Sequence, residues 1–140
     1  MGRSFIPANA TNPLGHWEDK TFHDLNVARL SGALSAETWQ RCVDRVARRR
    51  VEPWGVKDPR IADLLPEYLG LFPGATVLRC RRPRHDVVTS MCRAYGWSEA
   101  HARQIVDRRE SALDHHVPWA TDIRFDVLEE TLDAAIACAA

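Results

Sequence analysis

The sequence has 140 residues, of which 45% are hydrophobic and 27% charged, and its 19 basic and 19 acidic residues give a formal net charge of zero. This composition is typical of a single globular domain over residues 1–140, and no apolar run approaches the ~20 residues that a membrane-spanning helix needs. A neutral chain lacks the broad basic face that general nucleic-acid binding requires, so we expect neither a nucleic acid nor a membrane as a partner.

The first half of the chain is predicted to be mainly helical. Residues 1–18 are rich in turn formers and are predicted to be irregular. Beyond them, capping residues and apolar spacing indicate where the regular elements begin and end. The predicted elements are a helix from the cap Asp19 to about Leu34, a helix after the cap Ser35, a short buried strand at Trp54–Lys57 and a helix over Ile61–Leu71.

The second half alternates strands with helices. The predicted elements are a strand at Ala75–Arg81, a helix that begins at Pro83 and ends at Gly96, a helix from the cap Ser98 to about His116, a strand at Ile123–Phe125 and a last helix over Val127–Ala139. Helices that alternate with short apolar strands are typical of the α/β class, in which a parallel sheet is flanked by helices. We therefore predict an α/β fold.

The cysteine and histidine residues do not indicate a metal site or a redox site. The four cysteines are widely spaced and form no C-x-x-C pair, and the six histidines match no metal-binding spacing, so we predict no metal site. Cys80 falls in an apolar strand and Cys92 on a helix, where we expect buried thiols. With an N-terminus that lacks the apolar stretch of a secretory signal, these thiols favour a reducing cytoplasm.

The segment R-C-R-R-P-R-H-D-V-V-T-S leaves a predicted strand and enters a predicted helix. In open parallel sheets, ligands bind beyond the carboxyl ends of the strands, where helix N-terminal N–H groups favour an anion. Arg81 and Arg82, with Thr89 or Ser90 on the helix, are suited to hold a phosphate by charge-assisted and hydroxyl hydrogen bonds. The alternative is that one arginine pairs with a carboxylate of the chain while the other is solvated.

Two further segments carry residues suited to catalysis. W-G-V-K-D-P-R places Lys57 at the end of a predicted strand, where a lysine can neutralise charge on a transferring group. N-P-L-G-H-W-E-D is a turn that leads into a helix, and its Glu18 is either a general base or an acid that favours the helix N-terminus. Neither signal is specific by itself.

In this order the segments resemble the sulfotransferase family, in particular the bacterial-type P-loop sulfotransferases, from about Met1 to Glu129. N-P-L-G-H-W-E-D and F-H-D-L-N are similar to the segment after the family's first helix, and V-K-D-P-R with L-L-P and F-P-G-A to its next strand and helix. R-R-P-R-H-D-V-V-T-S resembles the signature that binds the 3′-phosphate of the donor nucleotide, 3′-phosphoadenosine 5′-phosphosulfate, and I-R-F-D-V-L-E resembles a late strand-helix junction.

The resemblance implies roles for two residues near the predicted Trp54–Lys57 strand and the first helix. Lys57 corresponds to the lysine that stabilises the phosphosulfate during transfer, and Glu18 to the catalytic base of some members. In other members a histidine lies two residues after the lysine, where this chain has Pro59.

The resemblance also implies a cofactor site. The family's arginine and serine that hold the 3′-phosphate are eight residues apart, which pairs Arg82 with Ser90 or Arg81 with Thr89. Family members begin with a strand and a Gly-rich loop that cradles the 5′-phosphosulfate, and no such loop occurs in these 140 residues. We therefore expect a P-loop nucleotide-kinase/sulfotransferase-like fold truncated at its N-terminus, with nucleotide binding but without independent catalysis.

Two alternatives remain open from the sequence. One is a non-enzymatic interaction module, a homodimer, derived from this fold. The other is a relative of the small-molecule kinases, which share the architecture.

Overall fold

Helices make up most of the regular structure in this chain. The structure is a computed structural model and describes residues 18–50 and 54–124. The chain divides into two compact units, an N-terminal unit (Met1–Pro73) and a C-terminal unit (Gly74–Ala140). The predicted single domain over residues 1–140 stays a prediction. The predictions for residues 1–17, for Phe125 and for the last helix at Val127–Ala139 lie outside the described residues.

The first two helices of the N-terminal unit begin at side-chain caps. Helix α1 (Lys20–Leu30) follows Asp19, whose carboxylate accepts a hydrogen bond from the Thr21 N–H at 3.0 Å. Helix α2 (Ala36–Ala47) follows Ser35, whose hydroxyl accepts from the Thr38 N–H at 3.2 Å. Both predicted caps are confirmed by these hydrogen bonds. A side chain of this type satisfies an N–H group that has no partner within the helix. Helix α1 ends four residues before the predicted end.

The early end of α1 has a local cause. Gly32, two residues beyond the helix, has a φ of 79°, a left-handed conformation that glycine adopts without the steric penalty of a side chain. The chain therefore turns at this point, and Leu34 lies outside the helix.

The predicted helix over Ile61–Leu71 is instead two elements. A 3₁₀ helix (Pro59–Asp63) is followed by α3 (Leu65–Leu71). Pro66 lies in the first turn of α3 and has no N–H, so it cannot donate the hydrogen bond that would continue a helix from the preceding turn. The prediction of one continuous helix was wrong for this reason.

The predicted strand at Trp54–Lys57 was also wrong. These four residues lie outside any helix or strand, and Lys57 is exposed. The apolar residues Trp54 and Val56, which motivated the prediction, pack against the core of the N-terminal unit instead. Apolar contact alone therefore buries them, without a hydrogen-bonded neighbouring strand.

The core of the N-terminal unit is largely aromatic. Its buried members are Phe22, Trp39, Val43, Leu64 and Tyr68. The rings of Trp39 and Tyr68 meet edge to face at 5.1 Å, the geometry that aromatic quadrupoles favour. Complete burial of each large apolar side chain stabilises the fold by about 1.5–3 kcal/mol, so this cluster holds α1, α2 and α3 together.

The C-terminal unit contains a β-α-α-β arrangement. Strand β1 (Leu78–Arg81) leads to α4 (Arg84–Tyr95) and α5 (Glu99–His116), and the chain returns to strand β2 (Thr121–Arg124). The two strands are parallel, with Cys80 opposite Ile123. Among the described residues this is the whole sheet, so the chain is of mixed α/β type with a small parallel sheet, as predicted at that level.

The helix ends of the C-terminal unit agree with the sequence. Gly96 ends α4 with a φ of 67°, and the Ser98 hydroxyl caps α5 by accepting from the His101 N–H at 3.3 Å. Pro83 occupies the N-cap position, immediately before Arg84, the first residue of α4. These predictions are confirmed, and they leave only Arg82 and Pro83 between the end of β1 and the start of α4.

The second core cluster is small. Val88 on α4 packs with Ala102 and Val106 on α5. Cys92 is partly buried beside them, whereas Cys80 is exposed, so the predicted burial of Cys80 was wrong. Cys80 lies on β1, whose last two residues are exposed. In the part of the chain that the structure describes, no helix is long and apolar enough to cross a membrane.

Candidate functional site

Glu18 and Lys57 are brought together although 39 positions separate them. The Lys57 Nζ donates to Glu18 Oε1 at 3.3 Å, and the Arg60 Nη1 donates to Glu18 Oε2 at 3.3 Å. The Glu18 side chain is only 7% exposed, whereas that of Lys57 is 62% exposed. A buried carboxylate thus holds two cations, one of which reaches the surface.

Asp58, next to Lys57, holds Arg60 and the start of the 3₁₀ helix in place. Its side chain is 1% exposed and accepts from Arg60 Nη1 at 2.9 Å. It also caps the 3₁₀ helix through the Arg60 N–H at 2.9 Å. One carboxylate therefore holds both the backbone N–H and the side chain of Arg60.

Asn26, on α1, connects Asp58 to the aromatic core. Its Nδ2 donates to Asp58 Oδ2 at 3.0 Å, and its Oδ1 accepts from the Tyr68 hydroxyl at 2.9 Å and from Trp39 Nε1 at 3.3 Å. We call Asn26, Trp39, Asp58, Arg60 and Tyr68 the buried network. Burying polar groups is costly unless each has a partner, and here each member has one.

Burial changes the acidity of Tyr68. Removal of its phenol from water raises the pKa of Tyr68, and the nearby Asp58 carboxylate adds to the rise, while the hydrogen bond to Asn26 opposes it. The phenol therefore stays protonated and keeps donating to Asn26.

We call residues 79–84 the arginine turn; they run from the end of β1 into the first residue of α4. Three arginines of this turn pair with carboxylates. Arg79 donates to Asp122 at 2.5 Å and to Asp114 at 2.6 Å. Arg81 donates its Nε–H to Asp122 Oδ2 at 3.1 Å and lies 3.9 Å from Asp114. Arg84 forms an ion pair with Asp107 on α5.

These pairs shift two acidities. The hydrogen bond from Arg79, with a further one from Arg81, lowers the pKa of Asp122. The same bond to Asp122 raises the pKa of Arg79. The sequence left open whether an arginine of this turn pairs with a carboxylate of the chain. Arg81 does so, because it donates to Asp122 on β2.

Helix α4 differs from α1, α2 and α5 at its start. Those three helices begin at a side-chain cap, whereas α4 begins after Pro83 with no side-chain hydrogen bond to its first turn. Thr89 and Ser90, on the second turn, are exposed. Arg82, next to Pro83, is exposed as well.

The predicted site residues therefore fall into two groups. Glu18 and Lys57 meet in the N-terminal unit. Arg81, Arg82 and the two hydroxyl residues of α4 lie in the C-terminal unit.

Sequence reasoning missed Asn26, Asp58 and Arg60 as parts of the first group. Asn26 had a signal, because an asparagine on the apolar face of a helix requires a buried partner. Within the described ranges 18–50 and 54–124, no three His, Cys, Asp or Glu residues are grouped to hold a metal ion.

Comparison with protein-family models, with curated proteins and with solved structures finds no match to this chain.

Proposed function

We propose that the chain is a sulfotransferase-like domain of the P-loop nucleotide-kinase/sulfotransferase architecture, and that the arginine turn binds the 3′-phosphate of 3′-phosphoadenosine 5′-phosphosulfate. The observation that carries the proposal is the geometry of the turn. Arginines at the carboxyl end of a parallel strand lead directly into a helix without a side-chain cap. Both the strand end and the helix N-terminus favour an anion.

Within the turn we assign the phosphate to Arg82 and Ser90 rather than to Arg81 and Thr89. In the resemblance, the D-V-V-T-S run aligns Arg82, and not Arg81, with the family's arginine. Arg82 and Ser90 are exposed and have the spacing of the family's pair. In this assignment Arg81 contributes only through its charge.

Lys57 and Glu18 are the residues we propose for the transfer step. Lys57 is exposed enough to meet a phosphosulfate, and its contact with the buried Glu18 restricts its position. Removing a single donor from an electrostatic site of this kind costs ~10²–10³ in rate, and the sequence has no Gly-rich loop to cradle the 5′-phosphosulfate. Nucleotide binding is therefore the activity to test first.

The test is calorimetric titration of the chain with adenosine 3′,5′-bisphosphate. We expect binding, and we expect Arg82→Ala and Ser90→Ala each to weaken it, Arg82→Ala by roughly tenfold to a hundredfold for the loss of a charge-assisted hydrogen bond. Arg93→Ala is the matched control, since Arg93 is an exposed arginine in the last turn of the same helix and should leave the affinity unchanged.

Three results would count against the proposal. Absence of binding at millimolar bisphosphate, or affinity unchanged in Arg82→Ala, contradicts the site. Loss in Arg81→Ala without loss in Arg82→Ala contradicts our choice of arginine. Tighter binding of adenosine triphosphate than of the bisphosphate favours the kinase alternative.

A second candidate, a homodimeric interaction module without enzymatic activity, is favoured by a separate observation. The last two residues of β1, Cys80 and Arg81, are exposed, whereas strands of parallel sheets are normally covered on both faces. Sedimentation velocity should then show a dimer that Cys80→Glu dissociates and the exposed control Thr76→Glu does not. A monomer at ~100 μM, far above the dissociation constant of a stable dimer, excludes this candidate.

A further inference from the structure

A cavity of about 360 Å³ lies beside α4 in the C-terminal unit. Its lining residues come from one face of α4 and from the start of α5: His85, Val88, Thr89, Cys92, Trp97 and Glu99. The four on α4 recur at i, i+3, i+4 and i+7, the spacing of a single helix face. The volume is at the lower end of the ~300–1,000 Å³ range of small-molecule sites.

One wall of the cavity is an aromatic ring that contacts two neighbouring rings. Trp97 is partly buried, and its ring lies 4.8 Å from that of Tyr95 and 4.8 Å, nearly perpendicular, from that of His101. The left-handed Gly96 between the two helices places Trp97 there. A ring held between two neighbours loses little freedom when a ligand stacks on it, which favours binding.

The remaining lining combines an apolar surface with a few hydrogen-bonding groups. Val88 is 2% exposed and supplies the apolar part. Glu99 accepts two hydrogen bonds from Arg103, at 2.9 and 2.5 Å, both on Oε1, so that none of the described residues donates to Oε2. The Thr89 hydroxyl and the indole N–H of Trp97 add a donor each.

The charge state of Glu99 indicates which class of ligand the cavity can bind. Because Arg103 pairs with Glu99, a full positive charge on the ligand gains little from this carboxylate. Oε2 therefore suits a neutral N–H donor. A planar ring that carries such a donor can stack on the Trp97 indole and donate to the Glu99 carboxylate at the same time.

We propose that this cavity binds a planar aromatic ring that carries an N–H donor, with the ring against Trp97 and the N–H group donating to Glu99. Such a ring has two sources. It is either the base of the bound nucleotide, in which case this inference rests on the proposed function, or a separate heteroaromatic molecule. Thr89 lies on the cavity and next to Ser90, which places the cavity near the proposed phosphate site.

The test adds adenine or benzimidazole to the full chain and monitors binding by two-dimensional ¹H–¹⁵N NMR. We expect both to shift the amides of Val88 and Thr89 and the indole resonance of Trp97. Trp97→Ala should weaken binding about tenfold, the loss expected for one stacked ring. Trp119→Ala is the matched control, because Trp119 is an exposed tryptophan of the same unit that does not line the cavity.

Glu99→Gln separates the hydrogen bond from the ring contact, and it serves alone if Trp97→Ala does not fold. It should weaken adenine and benzimidazole about tenfold, as expected for a hydrogen bond to a charged group. Absence of shifts at millimolar probe, shifts confined to residues outside the cavity, or affinities that neither variant changes would overturn the inference.

Competition distinguishes the two sources. If the ring belongs to the nucleotide, excess adenosine 3′,5′-bisphosphate displaces adenine from the cavity. If it belongs to another molecule, the bisphosphate and adenine bind at the same time. A chain that binds adenine in the cavity but does not bind the bisphosphate supports the cavity and contradicts only the proposed function.

Discussion

The two units hold their charged groups in opposite ways. In the buried network, Asn26 is fully buried and the Asp58 side chain is 1% exposed, and the contacts of Asn26 join side chains 13 to 42 positions apart in the sequence. In the arginine turn, Arg81 and its partner Asp122 are both nearly half exposed. Solvent screens the second kind of contact and not the first.

This difference means that the buried network contributes to the stability of the fold, whereas the arginine turn is available to bind a ligand. A buried polar group that loses its partner keeps the full cost of its removal from water, so the network fixes Lys57 and Glu18 but cannot rearrange cheaply. An exposed pair contributes little to folding and exchanges its partner for a ligand at small cost. We therefore expect substitutions in the network to act on stability and substitutions in the turn to act on binding.

The largest effect is expected for Asp58→Ala. The change removes the acceptor of Asn26 Nδ2 and one of the two carboxylates to which Arg60 donates, so the buried N–H group of Asn26 loses this partner. Breaking a buried charged contact of this kind costs about 3–5 kcal/mol. Urea denaturation should show this as a lower free energy of unfolding.

The control for this prediction is Asp44→Ala on α2. Asp44 accepts from Arg48, one turn away on the helix surface, and loss of such a pair should cost less than about 1 kcal/mol. Equal losses for Asp44→Ala and Asp58→Ala would remove the distinction between buried and exposed contacts on which the comparison rests.

The elements that the sequence predicted correctly depend on neighbouring residues. Asp19, Ser35 and Ser98 each cap a helix through N–H groups two or three residues ahead, and Gly96 ends α4 by its own φ. Such signals are complete within a few residues, so pattern alone suffices to find them.

The contacts that the sequence did not predict are long-range. Asn26 meets Asp58 across 32 positions, and Arg79 meets Asp122 across 43. Nothing in a local pattern selects one distant carboxylate among 19 acidic residues. The candidate residues themselves were found by their types and spacing, while their partners follow from the packing of the elements.

The second effect, of intermediate size, concerns alkaline pH and the buried network. Burial raises the pKa of Tyr68 above the usual value of about 10. A group that is kept protonated by folding stabilises the chain below its unfolded pKa, and this contribution is lost as pH rises. The free energy of unfolding should therefore fall by up to about 1.4 kcal/mol per pH unit above about pH 10.

Tyr68→Phe isolates this effect. The variant should be about 1 kcal/mol less stable at pH 7, for the lost hydrogen bond to Asn26, and its decline above pH 10 should be shallower than that of the wild type. Equal alkaline slopes in the two proteins would mean that Tyr68 is not the titrating group.

The smallest effect is expected for Asp122→Asn in the arginine turn. The hydrogen bonds from Arg79 and Arg81 hold the pKa of Asp122 below its usual value of about 4, so the carboxylate stabilises the fold above pH 4 and stops doing so as pH falls through its lower folded pKa. Because Asp122 is 47% exposed, the stability lost at pH 7 should be about 1 kcal/mol or less. The difference from the wild type should shrink as pH falls below about 4, and it should also shrink in ~1 M salt, where the loss in Asp58→Ala persists. A loss in Asp122→Asn that neither acid nor salt reduces would place Asp122 with the buried network and not with an exposed, ligand-accessible turn.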